Sequence, residues 1–154
     1  MSEMTIKIRR AVEGDVETAH RMIQALGYPH LEHDDFKRIF AETIHHQDTL
    51  IYLAEDTSGR ALGLMTISHR PQLRLTGKLV SIDELVVIEE ARGSGVGRAL
   101  LQKAKSLTAS LNAPRLELHT KRTRESYRRQ FYVKNGFSEA NSAVMRLEKG
   151  FHKE

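Results

Sequence analysis

The sequence predicts an α/β fold in which a mixed sheet is covered by helices. Three observations support this fold class: strand-like and helical patterns follow one another along the chain, a strongly apolar strand lies near the middle, and a glycine-rich turn joins that strand to a helix. The predicted order is β, α, α, β, β, β, α, β, α, β. Because 154 residues suffice for about one domain, we expect a single domain over residues 1–154.

The first strand and the first two helices are predicted from the spacing of their apolar residues. Residues 5–10 alternate apolar and polar side chains, as a strand does. From Val12 to Leu26 apolar residues recur at helical spacing, and Gly27 ends the run. A second amphipathic helix is indicated by Phe36, Ile39, Phe40 and Ile44.

The middle of the chain is predicted to form sheet. Residues 49–55 and 61–68 are expected to pair as a hairpin, because residues 56–59 are typical of a turn. Residues 70–77 are predicted to be a polar loop. Residues 79–88 are predicted to be a strand whose far end is continuously apolar, as in a buried strand.

The last third is predicted to alternate helix and strand. A helix follows Gly97, with one apolar face formed by Leu100, Ala104, Leu107 and Leu111. A short strand covers residues 116–119, and a final helix passes through Tyr127 and Phe131 and ends at Gly136. Residues 137–147 are predicted to return as a strand.

Composition excludes several classes of function. The chain has no cysteine, which removes disulfides, thiolate nucleophiles and zinc–thiolate sites and fits a cytoplasmic location. The aliphatic stretch 85–88 is far shorter than the roughly 20 residues of a membrane span, so we expect no membrane association. A formal charge of +4 allows an anionic ligand without requiring one.

Gly93, Gly95 and Gly97 stand at alternate positions where a strand passes into a helix. Glycine lets bare backbone approach a ligand, and amides at a helix start attract an anion with a partial charge of roughly half a unit. The Walker and dinucleotide-binding patterns both fit poorly, because the residues around these glycines have the wrong identity or spacing. The turn therefore predicts a phosphate site, and the alternative is a tight turn that binds nothing.

The run Arg92-Gly93-Ser94-Gly95-Val96-Gly97 resembles the acetyl-CoA motif of GNAT N-acetyltransferases. Two further segments are similar to that family: residues 85–87 in the position of its fourth strand, and residues 131–137 as its closing helix signature. The likeness of element order extends from about residue 5 to 147. The resemblance implies a mostly antiparallel sheet with helices on both faces, in which strands 4 and 5 splay apart around a bulge.

The resemblance also implies acetyl-CoA as co-substrate and a primary amine of a small molecule or protein as acceptor. It implies that backbone groups of Leu85 and Val87 hold the pantetheine arm, and that Val87 also polarises the thioester carbonyl. Glu125 stands where many members have an asparagine, and an acid can accept but not donate in that contact. The cofactor-binding residues implied are Leu85, Val86, Val87, Arg92, Gly93, Ser94, Gly95, Val96, Gly97, Arg98 and Glu125.

Two residues are the candidate catalytic groups within this resemblance. Glu84 precedes an expected bulge at Leu85 and is the candidate base, directly or through water; alternatively it orients the amine or bonds a neighbouring strand. Asp83 should point to the opposite face by strand alternation. Tyr132 is the candidate acid for the leaving thiolate, and its alternative role is that of a core aromatic. With no cysteine, we expect direct transfer without an acetyl-enzyme.

Other functions are less well supported by the sequence. A CoA-binding regulatory module without turnover is the alternative, and a nucleic-acid binder would rest only on basic residues that lack interleaved aromatics. Those basic residues could contact the 3'-phosphate of CoA or form a solvated face. The histidine pairs at 30/33 and 45/46 lack a complete ligand set, so we expect no metal. The resemblance allows a homodimer, and the acceptor stays open. The basic run is Lys121, Arg122, Arg124, Arg128 and Arg129.

Overall fold

Five strands form one sheet in the spatial order β1-β2-β3-β4-β5. The computed structural model describes residues 4–149, which divide into two units at His119 and Thr120. Strands β1 to β4 pair antiparallel with their neighbours, and β4 pairs parallel with β5. The prediction of a mixed, mostly antiparallel sheet is therefore confirmed. The strands are β1 Lys7–Arg10, β2 Thr49–Glu55, β3 Ala61–Gln72, β4 Gly77–Val87 and β5 Arg115–Leu118.

Three long helices accompany the sheet in the first unit, and two short ones lie in the second. At the start of α2 the Glu32 carboxylate accepts from the amides of Asp34 and Asp35, which satisfies donors that the helix itself leaves free. Among residues 4–149, every helix is too short or too polar to cross a membrane. The helices are α1 Val16–Gly27, α2 His33–His45, α3 Val96–Ser110, α4 Glu125–Arg128 and α5 Phe131–Lys134. Single 3₁₀ turns cover Glu13–Asp15, Leu73–Leu75 and Glu89–Ala91.

The helices of the first unit cover both faces of the sheet, as predicted. On one face α1 and α2 pack on the strands in a cluster that includes Phe40 and Leu53. On the other face α3 packs so closely that a Cβ on Gly63 would lie 2.9 Å from a methyl of Val96. Leu100 on the same helix is 0% exposed, and burying such a side chain contributes about 1.5–3 kcal/mol.

The predicted polar loop at residues 70–77 is wrong over its first part. Strand β3 continues through Gln72, and Pro71 pairs with Lys78 of β4. The last β2 partner of β3 is at Ser68, so β3 is an edge strand at Pro71. Proline lacks an amide but is tolerated at an edge, where no donor is needed on the open side.

Two predictions for the second unit are wrong. The expected single helix is divided into α4 and α5, because Gln130 adopts a left-handed backbone with φ of 59°. Residues 137–147 form no strand in the described chain. Val144, Met145 and Leu147 are all exposed, so this part of the segment has no buried face.

Candidate active site

A β-bulge in β4 determines which side chains face the first two helices. Ile82 pairs with Ile67 and Glu84 pairs with Thr66, which leaves Asp83 as the extra residue. The bulge lies at Asp83, not at Leu85 as expected from the sequence. Asp83 and Glu84 both line one cavity, so the prediction that they face opposite sides is also wrong. Strict alternation fails here because one extra residue in the strand moves every later side chain to the other face of the sheet.

The same point of β4 is where its pairing with β5 ends. The last pair joins Ile82 to Leu118, and within residues 4–149 no strand pairs with residues 83–87 on that side. The Ile88 amide donates to the Leu62 carbonyl at 2.9 Å. By alternation, the backbone groups of Leu85 and Val87 therefore point away from β3, toward the open side. The expected separation of strands 4 and 5 is present.

Glu84 is held by backbone pairing and lies in a half-buried position. Its amide donates to Thr66 Oγ1 at 2.9 Å, and its carboxyl group lines the cavity. Burial, and secondarily the charge of Asp83, raise the pKa of Glu84 to about 7. At neutral pH the carboxyl group is therefore close to half ionised and can both accept and release a proton.

The cavity lies between α1, α2 and strands β2 to β4, and its volume is about 430 Å³. Its walls are mainly apolar side chains, and three threonines, Tyr28 and the two acids supply the polar groups. The prominent apolar lining residues are Ile23, Phe36, Phe40, Ile51 and Leu64.

The turn between β4 and α3 leaves open space over two glycines. Gly93 has φ of +80° and Gly95 of +93°, and an added Cβ at either would meet no atom within 4 Å. Their positive φ favours glycine, because other residues are strained there. Ser94 closes the turn by donating from its hydroxyl and its amide to the Ala91 carbonyl. The backbone here is both fixed in shape and accessible.

The first turn of α3 presents backbone amides beside those glycines. The first helical bond runs from the Ala99 amide to the Gly95 carbonyl at 3.0 Å. The amides of Val96, Gly97 and Arg98 precede it and have no acceptor within the helix. The Arg92 Nε donates to the Val87 carbonyl at 3.3 Å, so a guanidinium also lies at the open edge of β4. Together these donors form an anion-attracting surface at the end of β4.

The second unit carries the other two predicted residues, Tyr132 and Glu125. Tyr132 lies in α5, with its ring centroid 5.1 Å from that of Phe131 and 6.2 Å from that of Phe137. Burial raises the pKa of the Tyr132 hydroxyl, so it stays protonated at neutral pH. Glu125 is the exposed first residue of α4. Their roles stay predictions.

The basic run in this unit is partly neutralised. Arg122 Nη2 lies 2.6 Å from Glu139 Oε1, and the Tyr127 hydroxyl donates to the other oxygen of that carboxylate at 2.9 Å. The guanidinium of Arg129 lies 5.4 Å from the centroid of the Phe131 ring. These contacts favour a role for the two arginines within the local structure.

Three possible metal ligands lie together where α1 approaches the start of α2. The ligand atoms of Glu17, His20 and His33 are all within 4.8 Å of one another. Glu17 Oε1 and His33 Nε2 are 2.7 Å apart, and His20 Nε2 is 3.0 Å from the Leu31 carbonyl oxygen. The histidine pairs considered in the sequence did not include this cluster, because residues far apart in the chain form it. Hydrogen bonding accounts for its geometry.

Thr66 is a site residue that the sequence analysis missed, and Asp83 is one that it assigned to the wrong face. Two adjacent acids in the middle of an apolar strand break its alternation, and that interruption could have indicated a bulge. Thr66 offered no such signal, because threonine is common in strands. The structure brings Glu84, Asp83 and Thr66 together at one end of the cavity.

Comparison with known proteins identifies the same architecture. A family model described as "Acetyltransferase (GNAT) family" matches residues 16–137. A curated relative, aminoalkylphosphonate N-acetyltransferase of Salmonella typhimurium, is 25% identical over 135 residues, which cover 88% of this chain and 86% of the relative.

Two solved structures share the fold. One is described as a transcriptional regulator from Bacillus halodurans, with a TM-score of 0.84, 22% identity, and coverage of 94% of this chain and 99% of that one. The other is aminoglycoside N-acetyltransferase AAC(6')-Iy in complex with CoA, with a TM-score of 0.81, 15% identity, and coverage of 96% and 97%. At these identities the matches show a common fold.

Proposed function

This chain belongs to the GNAT acetyltransferase family, and from that premise we propose that it transfers an acetyl group from acetyl-CoA directly to a primary amine. One observation carries the proposal: a single strand, β4, leads from a cavity with an ionisable carboxyl group at Glu84 to an accessible glycine turn at the start of a helix. A transferase needs both features, one for the acceptor and one for the coenzyme, within the reach of one extended molecule.

The coenzyme is proposed to bind through backbone groups. The amides of Gly93 and of residues 95–98 would donate hydrogen bonds to the diphosphate oxygens, because they lie at the positive end of α3 and have no acceptor within the helix. The Ser94 amide already donates to the Ala91 carbonyl. The outward backbone groups of Leu85 and Val87 would bond the pantetheine arm along the edge that β5 leaves open. Arg92 already lies at that edge and adds a positive charge.

Glu84 is proposed to take the proton of the acceptor. An amine with a pKa near 10.4 needs about 4.6 kcal/mol to deprotonate at pH 7. A carboxylate with a pKa of about 7, compared with the ordinary 4.5, is a stronger base by roughly 3 kcal/mol. Moving the proton from the amine to Glu84 still costs about 4.6 kcal/mol, compared with about 8 kcal/mol for a carboxylate with the ordinary pKa. A water between Glu84 and the amine would serve equally well.

The remaining steps of the proposal use Val87 and Tyr132. The Val87 amide would donate to the thioester oxygen as charge develops on it. By the family resemblance, Tyr132 would donate its proton to the departing thiolate, and its raised pKa keeps that proton available at neutral pH. The acetyl group passes directly to the amine, because the chain has no cysteine to carry it.

A second candidate is a CoA-binding regulatory module without turnover. The Bacillus halodurans structure described as a transcriptional regulator favours it, since that chain shares the fold over nearly its whole length. The half-buried carboxyl group at Glu84 favours the transferase, because partly burying an acid has a free-energy cost that a pure binding module has no reason to retain.

The two candidates are separated by measuring thiol release from acetyl-CoA with a panel of primary amines, together with mass spectrometry of the products. The panel should include an aminoalkylphosphonate and an aminoglycoside, the acceptor classes in the relatives' names. The transferase predicts an acetylated amine and one free thiol per product. Tight acetyl-CoA binding with no product across the panel would contradict the transferase and support the module.

A further inference from the structure

The cavity beside Glu84 has one polar end and a mainly apolar wall. Asp83 and Glu84 form the polar end, where Thr66 also lines the cavity. The opposing walls come from α1 and α2 on one side and from β2 and β3 on the other. The apolar side chains of these walls include Ile23, Leu31, Phe36, Phe40, Ile51 and Leu64. A molecule that fills this space needs one cationic end and an apolar remainder.

The exposed part of the lining, which forms the mouth of the cavity, also carries large apolar side chains. Tyr28 is 43% exposed and Ile39 is 51% exposed, and both line the cavity together with the exposed Asp83. Large apolar side chains at the rim of a concave site are typical of a surface that a ligand covers. The apolar character therefore extends from the buried Phe40 outward, and it does not stop where solvent begins.

The charges that line the cavity are all negative. Among the described residues of the lining, none is lysine, arginine or histidine. An anionic group on the acceptor would lose its hydration here and gain no positively charged partner. A body rich in hydroxyl groups would likewise leave many of them without hydrogen bonds against Phe36 and Ile51. The cavity thus disfavours both phosphonate-bearing amines and amino sugars.

We infer that the acceptor is a primary amine on a compact aromatic or branched aliphatic body that carries no anionic group. The inference rests on the proposed transferase function, because it assigns the amine to Asp83 and Glu84. The apolar body would lie between Phe36, Phe40 and Ile51. A volume of about 430 Å³ is at the small end of the range for ligand sites, about 300–1,000 Å³, and suits a single ring or a short branched chain.

Matched amines test this directly. 2-Phenylethylamine, phenylalanine amide and phenylalanine share a ring and an amine, and the last two add a neutral or an anionic group at the same carbon. We expect kcat/KM for 2-phenylethylamine to exceed that for phenylalanine by at least ~100-fold, a difference of about 2.7 kcal/mol, with the amide between them. 2-Aminoethylphosphonate and kanamycin should be acetylated more slowly than 2-phenylethylamine.

Each result supports or overturns the inference. Phenylalanine, 2-aminoethylphosphonate or kanamycin acetylated as well as 2-phenylethylamine would overturn it and leave the transferase intact. If no amine is acetylated, calorimetry with the same three ring compounds decides. Tighter binding of 2-phenylethylamine than of phenylalanine would then support the acceptor class while contradicting the transferase, and equal or absent binding would overturn both.

A charge placed at the mouth should reverse the selectivity. Ile39→Arg adds a cation at a half-exposed lining position, so the fold should tolerate it. We expect the ratio of kcat/KM for phenylalanine to that for 2-phenylethylamine to rise at least tenfold. Glu42→Gln is the matched control, because it changes the net charge of the same helix by the same amount at an exposed position outside the lining. If this ratio rises equally in both variants, or rises in neither, the assignment of this cavity to the acceptor is contradicted.

Discussion

The two ends of the last half of β4 are built by different means. At its end, the turn through Gly93 and Gly95 offers backbone amides in a conformation that a short local sequence specifies. At the bulge, Asp83 and Glu84 face a cavity whose walls come from segments far apart in the chain. The first arrangement suits a constant ligand, and the second can change its specificity by altering side chains without altering the strand.

A substitution at the glycine turn should impair the coenzyme end of β4 and leave the cavity end unchanged. Gly95→Glu should weaken acetyl-CoA binding by at least ~100-fold, about 2.7 kcal/mol. The new side chain brings negative charge to the proposed diphosphate site, and its backbone is strained at φ of +93°. Calorimetric titration with acetyl-CoA measures the effect, and binding of amines to the cavity should not change.

Gly59→Glu is the control for this experiment. Gly59 has a similar φ of +84° and the same open surroundings, but it lies in the turn between β2 and β3. It therefore reproduces the strain and the charge without touching the proposed coenzyme site. If a folded Gly95→Glu variant binds acetyl-CoA as tightly as Gly59→Glu does, the turn is not the diphosphate site.

The opposite end of the strand is tested by Glu84→Gln. The amide cannot accept the amine's proton, so kcat/KM at pH 8 should fall by ~100-fold, while acetyl-CoA binding stays the same. In the native protein kcat/KM should fall additionally below pH about 7, because Glu84 then gains a proton and loses its function as a base. A pH–rate profile should show this change of slope in the native protein and in Glu42→Gln, but not in Glu84→Gln.

Retention of the slope change near pH 7 in Glu84→Gln would assign that titration to another group. A rise in KM with no change in kcat would instead favour the alternative role of Glu84, which is to orient the cationic amine.

Tyr132→Phe should have a smaller effect than Glu84→Gln. A thiolate with a pKa near 8.5 is a good leaving group, so proton donation helps less than proton removal does. We expect kcat to fall about tenfold with acetyl-CoA binding unchanged. Pre-steady-state measurement of thiol release tests this, and native rates in Tyr132→Phe would leave Tyr132 as a core aromatic only.

Asp83→Asn should have the smallest effect on rate and a definite effect on the pH profile. The charge of Asp83 helps to raise the pKa of Glu84, so removing it should move the midpoint of the Glu84 titration to lower pH. The plateau of kcat at higher pH should change little. A midpoint that stays in place or rises would show that the two carboxyl groups do not interact as their common cavity implies.

The sequence predicted the glycine turn between β4 and α3 but not the cavity, for a physical reason. Gly93 and Gly95 act through the conformation of their own backbone, which neighbouring residues largely determine. The cavity forms only where α1 and α2 pack against β2 and β3, and no local sequence pattern specifies how these distant segments pack. Similarly, the helices and strands of the first unit were predicted closely, since each has its own apolar period.

The errors lie where one residue departs from a regular pattern. Asp83 interrupts alternation, so the face of Glu84 relative to Asp83 was predicted wrongly. Gln130 takes a left-handed backbone that glycine or asparagine would have indicated but glutamine does not. Residues 137–147 were predicted to form a strand, yet Val144, Met145 and Leu147 are exposed.

The most direct test of the account observes the backbone amides themselves during coenzyme binding. Nitrogen-15 NMR spectra of the assigned protein should be recorded as CoA is added. We predict saturable shifts that are largest for the amides of residues 93–98, followed by those of Leu85 and Val87, with the rest of the sheet little affected. Saturable binding that leaves residues 93–98 unshifted would contradict the central claim that helix-start amides take the diphosphate.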